Sequence, residues 1–200
     1  MLQIINAATG KWKVLFALLS ETGLRCGEAF GLHVEDFNLK ARQVKVKRSI
    51  YRCKEVAPKT RKAHRTVDIT PELCHMLEQH LNGRTQGYIF QPRNASPLNK
   101  DNSRHMLHKV LERLGIPKGG LHAFRHGRVS VLQAAGVPSD LIKQWVGHSS
   151  LKTTSRYTHF TNDYAQKMAA QNGVLNLNGP HGPHFSENQQ REDGSQTAAA

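Results

Sequence analysis

The sequence has few of the features that mark secreted, zinc-binding or membrane-spanning proteins. Its three cysteines, Cys26, Cys53 and Cys74, are odd in number and show no Cys-x-x-Cys spacing. Neither a disulfide framework nor a zinc site is indicated, which favours a reducing compartment. No apolar run approaches the roughly 18 residues of a membrane span, and the N-terminus lacks the order of a signal peptide. We therefore expect a cytoplasmic protein without a membrane segment.

Acidic residues are also scarce compared with basic ones. The 200 residues include 28 lysines and arginines but only 15 aspartates and glutamates, which gives a formal net charge of +13. Basic surface gains affinity for polyanions because binding releases the counterions condensed on them. The charge therefore favours a nucleic-acid partner over the alternative, a soluble protein with a solvated basic surface.

Hydrophobic periodicity predicts an α+β fold, mainly helical, with a small antiparallel β-sheet near residues 43–70. Apolar residues recur at helical spacing over 12–19, and a second short helix is predicted over 28–32. Alternation over 44–48 and a β-rich run over 65–69 predict two paired strands joined by a basic turn. Further helices are predicted at 71–81, 106–114, 121–135 and 138–146, around Tyr157, and at 161–171.

Chain length and C-terminal composition predict one domain followed by a tail. Two hundred residues suffice for one compact domain, which we assign to 1–174. From about Gly173 the chain is mostly Asn, Gly, Pro, Ser and Gln, ending in an alanine run. Such a composition buries too little apolar surface to offset the entropy lost on ordering. Residues 175–200 are therefore predicted to be a disordered polar tail.

A Gly-His pair, Gly147-His148, lies a short helical stretch ahead of a lone tyrosine, Tyr157. A tyrosine hydroxyl can attack a phosphodiester, but its ordinary pKa of about 10 makes it a poor nucleophile unless cations hold the phosphate and the phenolate. Candidate cations occur in three further segments of the chain. They are Arg25 within Leu24–Glu28, Lys59 within Pro58-Lys59-Thr60, and His122 and Arg125 within His122-Ala123-Phe124-Arg125.

Taken singly, each of these residues has an ordinary structural interpretation. Arg25 could be a surface arginine paired with Glu28 on the next helical turn. Lys59 lies among other basic residues and could belong to a solvated turn. Tyr157 could lie at the edge of the core. Only the set of residues, in its order along the chain, favours a catalytic function.

Two alternative sites are poorly supported by the sequence. His122 and His126 have the i, i+4 spacing of a helical metal pair, yet no nearby Asp, Glu or Cys supplies an evident third ligand. No metal is therefore expected. The glycines between Gly23 and Gly31 suggest a phosphate loop, but the segment lacks the Gly-Lys-Ser/Thr ending that such a loop requires.

The ordered set resembles the catalytic domain of the tyrosine recombinase (phage integrase) family, over about 12–160. The Thr-Gly-x-Arg-x-x-Glu turn of that family corresponds to Thr22–Glu28, and its hairpin Lys-Thr to Lys59-Thr60. Its His-x-x-Arg box corresponds to His122–Arg125. Its Gly-His box, which ends in the nucleophilic tyrosine, corresponds to Gly147–Tyr157.

The resemblance implies a site-specific DNA recombinase or integrase that uses a 3′-phosphotyrosyl intermediate and no metal, ATP or other cofactor. It implies double-stranded DNA as partner, with the protein a monomer in solution and a tetramer on DNA. Glu28 is expected to orient the Arg25 turn, and Arg61, Lys62 and Arg65 are expected to contact DNA. The implied catalytic residues are Arg25, Lys59, His122, Arg125, His148 and Tyr157.

The sequence also departs from the family pattern. His126-Gly127-Arg128 stands where His-Thr-Phe is more usual, and Gly127 should weaken its helix by roughly 1 kcal/mol relative to alanine. Relatives usually carry a helical DNA-clamping domain ahead of this one, so the chain is expected to be a fragment or a truncated copy. The absence of such a domain favours one alternative function, a DNA-binding remnant or regulator without recombination activity. A second alternative is a type IB topoisomerase-like enzyme, which would share the covalent step but need no second site.

Overall fold

A computed structural model describes residues 1–56, 64–90, 98–147 and 169–171. These residues form a mixture of helices and short antiparallel strands, which confirms the α+β class. The helices are α1 (Leu2–Ala7), α2 (Gly10–Thr22), α3 (Cys26–Phe30), α4 (Pro71–Leu81), α5 (Lys100–Arg113), α6 (His122–Ala134) and α7 (Ser139–Val146). The strands are β1 (Phe37–Asn38), β2 (Gln43–Val46), β3 (Ser49–Tyr51), β4 (Lys54–Val56) and β5 (Arg65–Asp68).

Helix α2 lies at the centre of the core. Every residue from Val14 to Thr22 is buried, because the helix packs against α1, α4 and α6. It ends at Gly23, whose φ of 63° is a left-handed conformation that glycine adopts without strain. A Cβ atom at Gly23 would lie only 2.9 Å from Cγ1 of Val146. The turn after α2 is therefore held against the end of α7.

The main sheet has three antiparallel strands in the order β1-β2-β5. Val44 of β2 lies opposite Val67 of β5, and both side chains are buried, whereas Lys45 between the two buried valines of β2 is exposed. The predicted pairing of these two segments is confirmed. Strand β2 is shorter than predicted, since it ends at Val46 instead of continuing to residue 48.

A second, two-stranded sheet forms between β2 and β5 in the sequence. Strands β3 and β4 pair as a hairpin with Tyr51 opposite Lys54. The two turn residues, Arg52 and Cys53, have φ values of 49° and 60°, as a two-residue type I′ turn requires. This hairpin was not predicted, and it replaces part of the single basic turn expected between β2 and β5.

Two aromatic contacts fix the last helices on the core. Phe124 of α6 stacks on Phe16 of α2, with ring centroids 5.4 Å apart and an interplanar angle of 18°. On α7, the Trp145 indole Nε1 donates a hydrogen bond of 3.3 Å to Asp68 Oδ2 at the end of β5. These contacts hold the first turn of α6 against α2 and the end of α7 against β5.

Most of the predicted helices correspond to observed ones. The helices predicted at 12–19, 71–81, 106–114, 121–135 and 138–146 are confirmed as α2, α4, α5, α6 and α7. Helix α3 begins two residues earlier than predicted, and α1 was not predicted. The helix around Tyr157, most of the segment 161–171 and the tail 175–200 lie outside the described residues. Within the described part of the chain, we find no helix with the length and apolar character of a membrane span.

Candidate active site

Arg25 occupies the N-cap position of α3 and is held there by Glu28. The Glu28 carboxylate accepts the backbone N–H of Arg25 through Oε2 at 2.9 Å and the side-chain Nη1 through Oε1 at 3.0 Å. A glutamate at the third helical position that reaches back to the N-cap N–H is half of a capping box. The other guanidinium nitrogen, Nη2, donates to the Gly147 carbonyl at 3.0 Å. The Arg25 side chain nevertheless remains 43% exposed.

Arg65 approaches the same carboxylate from the sheet. Its Nη1 and Nη2 donate to Oε1 and Oε2 of Glu28 at 3.1 and 2.8 Å, a bidentate pair, and its Nε donates to the Trp145 carbonyl at 3.0 Å. Only 7% of the Arg65 side chain is exposed. The Arg65 side chain is thus held below the surface by Glu28 and by the Trp145 carbonyl.

The two arginines keep Glu28 ionised. Burial by itself would raise the pKa of the Glu28 carboxyl, because it disfavours the charged form. The hydrogen bond and charge of Arg65, together with the backbone N–H and charge of Arg25, outweigh burial and lower the pKa below its usual value. Glu28 is therefore a buried anion whose hydrogen bonds orient Arg25.

Gly147 ends α7 beside these two arginines. Its φ of 67° lies in the left-handed region. A Cβ atom at this position would lie 2.7 Å from Nη1 of Arg65. Any other residue would therefore be strained and would also displace the Arg65 guanidinium. The glycine of the Gly-His pair is needed for backbone conformation and for close approach.

Arg125 lies on α6 with its guanidinium buried close to Arg25. The residue is only 3% exposed, and its Nη1 donates to the Gly23 carbonyl at 2.9 Å. Its Nη2 is buried with no hydrogen-bond partner among the described residues. Burial, and next the positive charge of Arg25, lower the pKa of Arg125 to about 10, against the opposing charge of Glu28. An anion at Nη2 would satisfy both the missing hydrogen bond and the uncompensated charge.

His122 begins α6, one helical turn before Arg125, so the two side chains lie on the same face. Its ring is exposed and meets that of His126 edge-on, with centroids 5.0 Å apart. Partial desolvation, then the charges of His126, Arg125, Arg25 and Lys100, lower the pKa of His122. Among the described side chains, no three His, Cys, Asp or Glu residues lie close enough together to hold a metal ion.

The structure thus brings Arg25, Glu28, His122 and Arg125 into one region. Five further residues singled out from the sequence lie outside the described residues, namely Lys59, Arg61, Lys62, His148 and Tyr157. Sequence reasoning missed the role of the Trp145 carbonyl and the buried position of Arg65. No local pattern could have revealed either, because the partners are 80 and 37 residues apart in the chain.

Residues 1–163 match the model of the phage integrase family. The chain therefore belongs to the phage integrase family, as the order of its motifs indicated. The match includes every residue of the site described above, together with the positions of His148 and Tyr157.

Curated relatives are similar over the same part of the chain. A tyrosine recombinase XerC-like protein of Caldanaerobacter subterraneus subsp. tengcongensis is 31% identical over 176 aligned residues, covering 74% of this chain and 45% of that protein. The integrase of Staphylococcus phage L54a is 28% identical, covering 70% of this chain and 45% of the relative. The chain spans about half the length of the curated relatives it matches.

Solved structures share the fold. The Tn1549 transposon integrase in complex with circular intermediate DNA superposes with a TM-score of 0.65 at 23% sequence identity, covering 78% of this chain and 58% of that one. The XerA recombinase superposes with a TM-score of 0.63 at 24% identity, covering 83% of this chain and 58% of that one.

Proposed function

We propose that this chain is the catalytic domain of a site-specific DNA recombinase or integrase, which cuts and rejoins DNA strands through a 3′-phosphotyrosyl intermediate. The observation that carries the proposal is the buried Arg125 guanidinium, whose Nη2 has no partner among the described residues and which lies beside the half-exposed Arg25. Among the described residues, Glu28 is the one carboxylate that acts on both guanidinium groups. Two neighbouring cations with a single anion favour an anionic ligand, and a phosphodiester has the required charge and geometry.

The phosphate would gain most from this arrangement in the transition state. A phosphodiester carries one negative charge, and more develops on its non-bridging oxygens as the pentacoordinate transition state forms. Fixed donors aimed at those oxygens stabilise the transition state more than the ground state. Arg25 and Arg125 are assigned this function, and His148 would add a third donor.

The reaction would proceed by direct displacement at phosphorus. The Tyr157 oxygen attacks, a bond from phosphorus to that oxygen forms, and the bond from phosphorus to the 5′-oxygen breaks. His122 takes the Tyr157 proton, and Lys59 gives a proton to the departing 5′-oxygen. Attack by a second 5′-hydroxyl on the phosphotyrosine reverses these steps with a new strand. One phosphoester bond replaces another at each step, so neither ATP nor a metal is required.

The proposed partner is double-stranded DNA. The net charge of +13 supports a polyanionic partner, and the relative of Caldanaerobacter is named a tyrosine recombinase. Exchange between two duplexes needs four cut strands, so we propose that the protein is a monomer in solution and acts as a tetramer on DNA. The proposed setting is the cytoplasm.

The test is a covalent adduct on nicked duplex DNA. The wild-type chain should form a denaturation-resistant protein–DNA species, and Tyr157→Phe should abolish it while leaving duplex binding nearly unchanged, because one oxygen is lost and little surface. Tyr164→Phe is the matched control and should leave the adduct intact. An undiminished adduct in Tyr157→Phe would assign the nucleophile elsewhere. A two-site exchange assay then distinguishes a recombinase from a topoisomerase-like enzyme, which needs no second site.

A further inference from the structure

We infer that Arg65 is a positioning residue, which sets the Arg25 guanidinium against the end of α7 and does not contact DNA. This inference rests on the proposed function, because Arg25 is taken to bind the phosphate that is cut.

The Glu28 carboxylate is shared equally between the two arginines. Its Oε1 accepts Nη1 of Arg25 at 3.0 Å and Nη1 of Arg65 at 3.1 Å. Its Oε2 accepts the backbone N–H of Arg25 at 2.9 Å and Nη2 of Arg65 at 2.8 Å. Four hydrogen bonds saturate the two oxygens. Arg65 therefore fixes the orientation of the carboxylate plane, and the carboxylate in turn fixes Arg25.

The two arginines also attach to the same end of α7. Arg65 Nε donates to the Trp145 carbonyl at 3.0 Å, and Arg25 Nη2 donates to the Gly147 carbonyl at 3.0 Å. These carbonyls lie at the C-terminus of a helix, where the partial negative charge favours cations. The hydrogen bonds thus join β5, α3 and α7 into a closed ring, and the residue that follows the ring in the chain is His148.

Charge sharing adds a second effect. If Arg25 alone faced Glu28, the carboxylate would neutralise most of its charge before any phosphate bound. Arg65 takes half of the hydrogen bonds of Glu28, so one carboxylate is shared by two guanidinium groups and the group of three retains a net positive charge. That charge lies on the side of Arg25, whose side chain is 43% exposed. Arg65 itself is 7% exposed, so the phosphate would meet Arg25 and not Arg65.

The shape of the guanidinium is essential to this arrangement. Arg65 uses three nitrogens in fixed directions, two for Glu28 and one for Trp145. A lysine would keep the charge but would have a single nitrogen and no planar fork. Arg65→Lys should therefore lose most of the function even though the net charge is unchanged.

The experiment is a double-mutant cycle on the rate of adduct formation at saturating nicked DNA. Arg65→Met and Arg65→Lys should each slow the adduct by about 10²-fold, the loss expected from a misplacement on the order of 1 Å. Adding either substitution to Arg25→Ala should change the rate by less than about 2-fold, since the Arg25 guanidinium is no longer there to be positioned. Arg84→Lys is the matched control: this guanidinium also holds two backbone carbonyls, those of Tyr88 and Ile89, and its loss should leave the rate unchanged.

A second readout separates positioning from DNA binding by Arg65 itself. The slope of log binding constant against log salt concentration falls in magnitude by about 0.9 for each phosphate that the protein no longer neutralises. Arg65→Lys and Arg65→Met should keep the wild-type slope. If a thermal melt shows that Arg65→Met is not folded, Arg65→Gln, which also removes the charge, replaces it in both measurements.

The outcomes distinguish the two proposals. Two outcomes with an active wild-type chain overturn the positioning role alone. In the first, the rate losses of the Arg25 and Arg65 variants multiply in the double variant. In the second, Arg65→Met reduces the salt slope. A wild-type chain that forms no adduct overturns the proposed function and the positioning role with it. Full activity in Arg65→Lys would show that charge, and not the fork, is what the site requires, and would also overturn the inference.

Discussion

At the scale of single residues, the site contains two arginines with little-exposed side chains, one with all its nitrogens hydrogen-bonded within the described part of the chain and one without. Arg65 donates through Nε, Nη1 and Nη2 to Glu28 and to the Trp145 carbonyl. Arg125 donates through Nη1 to Gly23, and its Nη2 is left without a partner among the described residues. Buried donors are nearly always satisfied in folded proteins. This difference supports the proposed roles, in which Arg65 positions the site and Arg125 binds the ligand.

His122 should act as a base at lower pH than an ordinary histidine. Its pKa is lowered from 6.5, so the neutral ring that can accept the Tyr157 proton persists below that pH. On the acidic side, the cleavage rate should therefore decline with a midpoint below pH 6.5. In His122→Gln, the part of this decline that is due to protonation of His122 should disappear. NMR titration of the ring protons gives the pKa directly.

His126 provides the control for this assignment. Its charge contributes to the lowered pKa of His122, so His126→Gln should raise that pKa toward 6.5, and the acidic limb should move to higher pH with it. His105→Gln removes a histidine from α5 instead and should leave the titration of His122 unchanged. A His122 midpoint at or above 6.5 in the wild-type chain would contradict the prediction.

At the scale of secondary-structure elements, α6 contains the glycine that departs from the family pattern. A Cβ atom at Gly127 would lie 3.0 Å from Sδ and 3.1 Å from Cε of Met1, so the glycine makes room for the start of the chain. The neighbouring atoms belong to the flexible end of a methionine, which can move aside. The gain in helix propensity should therefore exceed the cost of shifting the Met1 side chain.

Gly127→Ala should accordingly raise the free energy of unfolding, by up to about 1 kcal/mol. Gly127→Val provides the contrast, because its two extra methyl groups must enter the space of Met1 and should cost about 1–3 kcal/mol. Urea unfolding monitored by circular dichroism measures both. Destabilisation by alanine would show that Met1 is held too firmly to yield.

Residue 128 shows why the packing of α6 was harder to predict than its existence. Arg128 stands where the family usually has phenylalanine, and it is only 3% exposed. Burial lowers the pKa of Arg128, while the charge of Glu21 on α2, also buried, opposes that shift. Charged residues are rarely buried unless paired, and a partner on another helix leaves no local pattern in the sequence.

The long helices could be predicted, whereas the short α1 and the β3–β4 hairpin could not. Helices α2, α4, α5, α6 and α7 repeat apolar residues over two or more turns, so their periodicity is clear. The β3–β4 hairpin has strands of three residues, β4 is exposed throughout, and the turn at Arg52-Cys53 contains neither glycine nor asparagine. It therefore offers neither alternation nor a turn signal. The candidate site residues on α3 and α6 were proposed from motifs, while their mutual contacts depend on tertiary packing.

At the scale of the whole molecule, the excess of positive charge should dominate binding. The 200-residue chain carries 28 basic and 15 acidic residues, so most of its affinity for DNA should come from neutralised phosphates. Duplex binding should therefore be weak and should fall steeply between about 50 and 200 mM salt. Fluorescence anisotropy with specific and random duplexes measures this. Nanomolar, salt-insensitive and site-specific binding by this chain would contradict it.

The Nη2 of Arg125, which has no hydrogen-bond partner in the part of the chain that the structure describes, also has an evolutionary consequence. A buried guanidinium with an unmade hydrogen bond, near a second cation, makes the ligand-free fold less stable than an apolar residue of similar size would. Selection for folding alone would remove such a residue, and only selection for function retains it. In a lineage where the protein no longer had a reaction to perform, Arg125 would be among the first residues to drift, well before the aromatic stack that supports it. The proposed function therefore predicts that Arg125 is retained for as long as the chain performs its reaction.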